Sequence, residues 1–409
     1  MAGTRAETQG ALQGKLEQIA AEEFPHRTAI HNIARRMVDR SVEPGERVLI
    51  WYDKPLGEPL ASQLHLASIA KGASSITFFE RDLAEDAQRA TQIPISELEH
   101  FHDEQAEIIG DADVILIVRA EEDPTVITAL SAERQRIYQE GYKRAHLARS
   151  KGEIKWSLIL YPTPYEAEQD GRIYSEYLEE ILKACDRPWE EVKRVQQKLV
   201  DKLNAGKTLT LIANEDAQNP MRRTHLVMSI EGMTFCNSTD GMNVPGSEVF
   251  SAPVMDSVNG QLFAEGRHIY DGHVMRDVYL RFENGKVVEA HAAEGDEGLQ
   301  QILSQGVGAR FMGEVALGTN PELSGPYING LLNEKIAGTF HVAIGKCYEY
   351  KAYEGVPVNV DNGNTSDRTT NHWDITVSMR RNGKVVVDGE VIQKDGQFLD
   401  EDLAILNPR

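Results

Sequence analysis

Short apolar runs alternate with helical patterns through the first half of this chain. Residues 12–39 carry apolar positions at helical spacing, and the continuous run Val48-Leu49-Ile50-Trp51-Tyr52 follows. A second helical stretch over 57–72 leads to Ser75-Ile76-Thr77-Phe78-Phe79. Val114-Ile115-Leu116-Ile117-Val118 and Trp156-Ser157-Leu158-Ile159-Leu160-Tyr161 come next, separated by a helical pattern near 128–149. Continuous apolar strands with helices between them fit a mainly parallel sheet buried on both faces. Residues 1–195 are therefore expected to form an open α/β domain.

After Pro188 a charged helix is expected to run to about residue 204, and the pattern then changes. Short β-like segments occur at 207–213, 224–229, 276–282, 285–291, 372–379 and 384–392. Asn284-Gly285 and Asn382-Gly383 sit between such segments, and Asn-Gly suits hairpin turns that need positive φ at both central residues. Residues 196–409 are expected to form an α+β domain with a curved, barrel-like antiparallel sheet. Gly206-Lys207-Thr208 ends like a phosphate-binding loop, but Asp201 stands where an earlier glycine is required. Strand-like Leu209-Thr210-Leu211-Ile212 follows it, so it reads as a hairpin turn. Gly306-Val307-Gly308 has Phe311 where a dinucleotide fingerprint needs its third glycine.

Composition narrows the classes. A length of 409 residues suits two domains, and 41% hydrophobic with 26% charged residues is ordinary for a soluble globular chain. No apolar run reaches the roughly 18 residues a membrane-spanning helix needs. Met1-Ala2-Gly3-Thr4-Arg5-Ala6-Glu7 lacks the features of a secretory signal, and neither terminus carries a lipidation motif. Cys185, Cys236 and Cys347 lie far apart, which fits a reducing, cytoplasmic setting and excludes a disulfide framework. The net charge of -21, from 43 basic and 64 acidic residues, disfavours nucleic-acid binding.

The candidate chemistry lies between residues 240 and 380. His372 and Asp374 sit two apart in a strand-like stretch, so both project to one face while Trp373 points away. An imidazole beside a carboxylate is half of a site for zinc, cobalt, manganese or iron. The stretch Leu331 to Tyr348 is compatible with a helix that would align Glu334, His341 and Tyr348, spaced by seven, on one face. Glu314 in Met312-Gly313-Glu314-Val315-Ala316-Leu317 and Glu248 in Val244-Pro245-Gly246-Ser247-Glu248-Val249-Phe250 lie in apolar runs. A carboxylate buried there must be paired or bound to a cation; the alternative is an edge position facing water.

Four of these segments carry a resemblance. Asn243-Val244-Pro245-Gly246-Ser247-Glu248-Val249-Phe250-Ser251-Ala252-Pro253 resembles the NxPxxEVFxAP segment of the thermophilic, aminopeptidase T-like metallopeptidase (M29) family. Gly313-Glu314-Val315-Ala316-Leu317-Gly318 is similar to its GEVAL motif, and His341-Val342-Ala343-Ile344-Gly345, with Tyr348 seven residues on, to its H-hydrophobic-A-hydrophobic-G segment. His372-Trp373-Asp374 is similar to its terminal HxD. The resemblance implies a two-metal aminopeptidase and homodimer acting on peptides with a free N-terminus. It further implies two divalent ions per chain, zinc, cobalt or manganese. The implied ligands are Glu248, Glu314, His341, Tyr348, His372 and Asp374, with Glu314 and Tyr348 also in catalytic roles. Asn333-Glu334 departs from the family's Asp-Glu pair, and Arg380-Arg381 with the hairpin through Gln397 extends past its HxD ending. Two other readings remain open: a non-haem Fe(II) ring-opening dioxygenase using His341, His372 and Asp374, and a metal-dependent dimeric scaffold without enzymatic activity.

Overall fold

The computed structural model describes residues 24–146 and 154–409. The helical expectations for 12–23 and 147–149 fall outside them. The chain divides into two compact units, one of residues up to Asp186 with Asp240–Pro245, the other of Arg187–Thr239 with Gly246–Arg409. The architecture is mixed α/β, and strands β1–β20 are numbered in chain order.

The first unit holds one parallel sheet of β1 (Arg47–Asp53), β2 (Ser75–Arg81), β3 (Val114–Arg119), β4 (Lys155–Leu160) and β8 (Asn243–Val244). Its spatial order is β2-β1-β3-β4-β8. Leu49 and Trp51 of β1 and Ile115 and Ile117 of β3 pack with Ile109 and Ala145 from the helices Asp103–Gly110 and Ala132–Ala145. The helices Arg27–Ser41 and Glu58–Lys71 lie against the same strands and against each other. A sheet covered on both faces explains why β1 and β3 read as continuous apolar runs rather than alternating ones.

The second unit is built on two open antiparallel sheets. The larger has the order β12-β11-β10-β6-β5-β18-β19-β20. Its strands are β5 (Thr208–Ala213), β6 (Thr224–Ser229), β10 (Asn259–Tyr270), β11 (His273–Glu283), β12 (Lys286–Glu294), β18 (Lys384–Val387), β19 (Glu390–Lys394) and β20 (Gln397–Phe398). The smaller, in the order β17-β14-β13-β9-β7, uses β7 (Cys236–Ser238), β9 (Glu248–Ser251), β13 (Met312–Gly318), β14 (Thr339–Gly345) and β17 (His372–Ser378). A two-stranded ribbon of β15 (Ala352–Tyr353) and β16 (Val356–Pro357) completes the set. No sheet closes on itself among the described residues, so the curved element expected here is not a closed barrel.

The main core of this unit lies between its two sheets. Leu211, Leu226, Leu262 and Leu280 from the larger sheet meet Val315, Phe340, Val342 and Trp373 from the smaller. The helix Trp189–Ala205 adds Trp189, Val192, Leu199 and Leu203 on its apolar stripe.

The hairpin chemistry differs in detail from expectation. Asn284-Gly285 does join β11 to β12, with φ of 48° and 80°. The same two-residue turn recurs as Asp271-Gly272, Asp388-Gly389 and Asp395-Gly396, where Asp-Gly supplies the positive φ pair. Asn382-Gly383 instead carries the chain from the smaller sheet to the larger. Gly206-Lys207-Thr208 is not a hairpin turn: Gly206 caps the helix Trp189–Ala205 and leads directly into β5.

Candidate metal centre

The smaller sheet of the second unit has two unlike faces. β14 alternates throughout and β13 does so from Glu314 on, after an irregularity at Gly313, so Val315 and Leu317, with Phe340, Val342 and Ile344, face the core. Glu314, Ala316 and Gly318 of β13 and His341, Ala343 and Gly345 of β14 therefore share the opposite face. His372 and Asp374 of β17 and Glu248 of β9 join them from the flanking strands. The registers place Ala343 between Glu314 and Asp374, Ala316 beside His341, Gly318 beside Glu248 and Gly345 beside His372. Each polar side chain is thus flanked across the sheet by a residue with little or no side chain. That spacing lets five long polar side chains converge without collision.

The helix expected over Leu331–Tyr348 is not formed. A short helix Gly330–Asn333 ends at once, and His341 lies in the middle of β14. The two glycines spaced by seven, Gly338 at φ 75° and Gly345 at φ 122°, bound the strand rather than interrupting a helix. A Cβ at Gly345 would also lie 2.2 Å from the Asn371 carbonyl oxygen, so that position needs glycine for space as well as for conformation. Glu334, His341 and Tyr348 therefore share no helical face. Even so, all three lie near the centre, because the β14 strand and the turns at its ends bring them back.

Two groups of donors emerge. Glu248, Glu314 and His341 form one and Glu314, His372 and Asp374 the other, with the donor atoms in each group within 4.8 Å of one another. Glu314 belongs to both. His341 Nε2 lies 3.3 Å from Glu248 Oε2 and 3.7 Å from Glu314 Oε1. His372 Nε2 lies 3.0 Å from Glu314 Oε2 and 3.7 Å from Asp374 Oδ1. His341, His372 and Asp374, the triad that would suit a single iron, do not form such a group among the described residues.

Neighbouring groups fix these donors. The Lys346 carbonyl oxygen, 2.7 Å from His372 Nδ1, accepts the ring proton there and leaves Nε2, which meets Glu314 Oε2, as the nitrogen that faces the centre. Lys335, fully buried, places Nζ 2.6 Å from Glu248 Oε1 and 3.0 Å from Glu334 Oε2. Gln196 on the helix Trp189–Ala205 donates to the Glu248 main-chain carbonyl at 2.8 Å and accepts from Thr319 Oγ1 at 2.6 Å. Gly246 permits the approach to this strand, since a Cβ there would overlap the Thr239 carbonyl.

The electrostatics ask for positive charge. Burial alone would raise the Glu248 and Glu314 carboxyls, yet Lys335 with His341 holds the first below its ordinary range, and His341 with His372 the second. The histidines answer in the opposite sense. Burial disfavours their charge, but the carboxylates overcome it and raise His341 well above its ordinary value and His372 to about 9. Asp374 is pushed up to about 7 by burial and by the Glu334 and Glu314 carboxylates. Glu248 Oε2, His341 Nδ1 and Asp374 Oδ1 are buried without a hydrogen-bond partner. The 3.3 Å His341–Glu248 approach is close in distance but not aligned as a hydrogen bond. Three convergent carboxylates, two imidazoles and orphaned buried oxygens are the donor set that divalent cations satisfy.

Tyr348 follows β14. Its ring is 4.9 Å from the His372 ring, 5.4 Å from Phe250 and stacked at 5.0 Å on Tyr350. Burial, then the Glu314 and Asp374 carboxylates, raise its phenol well above the ordinary value, so the hydroxyl keeps its proton. All six residues singled out from the sequence thus lie together. Lys335, Gln196 and the Lys346 carbonyl were not singled out. A lysine in the otherwise apolar run Lys335-Ile336-Ala337 was the one visible signal; the other two owe their role to tertiary placement.

A two-unit α/β chain with a carboxylate–imidazole centre on one sheet face is what fold and site define. The family model for thermophilic metalloprotease (M29) matches residues 28–398, so the chain belongs to that family. Curated relatives include aminopeptidase 2 of Geobacillus stearothermophilus, 30% identical over 51% of this chain and 53% of that protein. Another is aminopeptidase T of Thermus thermophilus, 29% identical over 49% and 51%. The chain thus aligns with about half the length of these two relatives. The solved structure of wild-type AmpT from Thermus thermophilus has the same fold, with a TM-score of 0.72 at 22% identity over 91% of this chain and 99% of that one.

Proposed function

We propose that this protein is an aminopeptidase that uses two divalent cations, zinc, cobalt or manganese, to remove the N-terminal residue of peptides. The reading is carried by one observation: two three-donor groups share the single carboxylate Glu314. A shared carboxylate between two donor sets is how a two-metal site is built. Family membership and the names of the curated relatives support the same activity.

Glu248 and His341 would hold one cation, His372 and Asp374 the other, and Glu314 both, with Tyr348 as a further ligand or as the hydroxyl that faces the developing oxyanion. Bound there, the cations would polarise the scissile carbonyl and make water nucleophilic near neutral pH. The chain's own groups do the positioning. Lys335 engages Glu248 Oε1 and so turns Oε2 toward the centre. The Lys346 carbonyl fixes the His372 tautomer. Asp374, half-buried, is the donor next to open space and is suited to meet a substrate's α-ammonium.

Residues 196–409 would then form the catalytic domain and residues 1–195 a companion α/β domain. A cytoplasmic homodimer is part of the same proposal. The three buried free cysteines fit the reducing compartment, and the dimer rests on the family resemblance alone. The activity test is hydrolysis of aminoacyl p-nitroanilides. Turnover should vanish with a chelator and return with zinc, cobalt or manganese. Failure on every aminoacyl amide after metal loading would refute the aminopeptidase.

A further inference from the structure

A cavity of about 460 Å³ opens beside the metal centre within the second unit. Its floor is the open face of β17, where Asp374, Thr376 and Ser378 alternate, and it ends at Arg380 and Arg381. Phe263 and Ile269 of β10, with Tyr327 and Ile336, give it apolar lining. Glu265 and Arg267 add opposite charges from β10, so they set no net polarity. The polarity comes from the ends: a carboxylate belonging to the candidate centre at one, two guanidinium groups at the other.

The two arginines differ in how they are held. Arg380 is anchored, its Nε and Nη2 donating to the Ala337 carbonyl at 3.1 and 2.9 Å and Nη2 also approaching the Leu323 carbonyl at 3.5 Å, which leaves Nη1 without a hydrogen-bond partner among the described residues. Burial lowers its pKa, as expected of a guanidinium held in a partly enclosed place. Arg381 is largely exposed and has only a loose 3.9 Å approach to Asp216. A fixed guanidinium that still offers Nη1, beside an exposed neighbour with its fork open, can donate to a carboxylate.

We propose that this cavity binds the part of a peptide beyond its scissile bond, extended along β17, with the free α-carboxylate at Arg380 and Arg381. The inference rests on the aminopeptidase reading above and adds its substrate class: short peptides with a free C-terminus and apolar side chains behind the first residue. Asp374 to Ser378 spans roughly 13 Å at the strand rise of about 3.3 Å per residue. An extended peptide has the same rise, so one of about three to five residues reaches from the centre to the arginines. A dipolar substrate also aligns with the cavity's own charge, ammonium toward Asp374 and carboxylate toward the guanidinium pair.

The experiment compares kcat/KM of the full-length, metal-loaded protein for an apolar tetrapeptide and for its C-terminal amide. The free acid should be preferred about tenfold or more, chiefly through KM. The acid-to-amide ratio should fall at least threefold in Arg381→Gln and in Arg380→Lys. Because it is a ratio on one preparation, partial loss of fold in a variant cancels. A ratio near one in the unaltered protein overturns the proposal, as does a ratio that neither variant changes. If aminoacyl p-nitroanilides are still cleaved in that case, the aminopeptidase stands and only the role of the cavity falls. If no aminoacyl amide is cleaved at all, both fall together.

Discussion

The two donor groups that meet at Glu314 are built differently. Glu248 and His341 are sealed among Lys335, Gln196 and the apolar strands, whereas His372 and Asp374 sit on an edge strand beside an open cavity. In the closed group the counter-charge is a protein lysine, fixed by 2.6 and 3.0 Å contacts to Glu248 and Glu334. In the open group no lysine or arginine among the described residues is paired with Asp374, and its carboxyl is raised to about 7. The difference teaches a division of labour. The closed group is assembled by the fold and held by it; the open group is left short of positive charge on the side where a substrate can arrive.

Glu314→Gln should have the largest effect, because it removes the shared carboxylate from both groups. Turnover on aminoacyl amides should fall by about a thousandfold, equivalent to about 4 kcal/mol of transition-state stabilisation. Metal content by elemental analysis should fall with it, and unimpaired turnover would remove Glu314 from the mechanism.

Lys335→Met separates the groups. It leaves Glu248 and Glu334 buried without their cation, which typically costs about 3–5 kcal/mol. A large drop in the melting temperature of metal-free protein is expected, offset in part by added divalent cation. Asp374→Asn should behave in the contrary way. It removes a carboxylate crowded by Glu334 and Glu314, so metal-free stability should hold while metal affinity falls by more than the roughly 10–100-fold typical when an outer partner of a metal site is lost, because Asp374 is itself a proposed ligand. Equal thermal effects from the two variants would erase the distinction between the groups.

Smaller effects should divide the faces of the sheet. Ile344→Val trims the core face and should cost about 0.5–1.5 kcal/mol with metal affinity intact. Ala316→Leu fills the gap beside His341 and should cost about 1–3 kcal/mol and lower metal affinity as well. Calorimetry of both variants, with and without zinc, makes the comparison.

The smallest expected effect lies in the first unit and reports on pH. His102 is buried against the Phe101, Tyr138 and Tyr142 rings and contacts Gln105 at 2.6 Å. Burial lowers its pKa, and Arg81 and Arg144 add to the lowering. The unfolded chain therefore takes up a proton before the folded one, so this contribution is present above the ordinary histidine value and is lost as pH falls through the lower folded one. His102→Gln should flatten the acid side of the stability profile in urea titrations between pH 7 and 5.

The sequence made the parallel sheet legible because both of its faces are covered, so Val48–Tyr52 and Val114–Val118 appear as unbroken apolar runs. His372 and Asp374 were legible for the opposite reason: alternation on an edge strand shows which residues share a face. His341 was misplaced on a helix. A fully buried strand such as Thr339–Gly345 shows no alternation of polarity, and glycines seven apart mimic a helical repeat. The Asp-Gly hairpins carry a weaker sequence signal than Asn-Gly, although aspartate supplies the same backbone freedom. Lys335 and Gln196 were invisible as partners of Glu248, since their contacts span 87 and 52 positions of the chain.

Metal stoichiometry tests the central claim most directly. Protein purified without chelators or affinity metal, then reloaded with zinc, cobalt or manganese, should hold about two ions per chain by elemental analysis. Asp374→Asn should bring this nearer to one at limiting metal and Glu314→Gln lower still. A single tightly bound iron, or no retained metal after reloading, would contradict the shared-carboxylate centre.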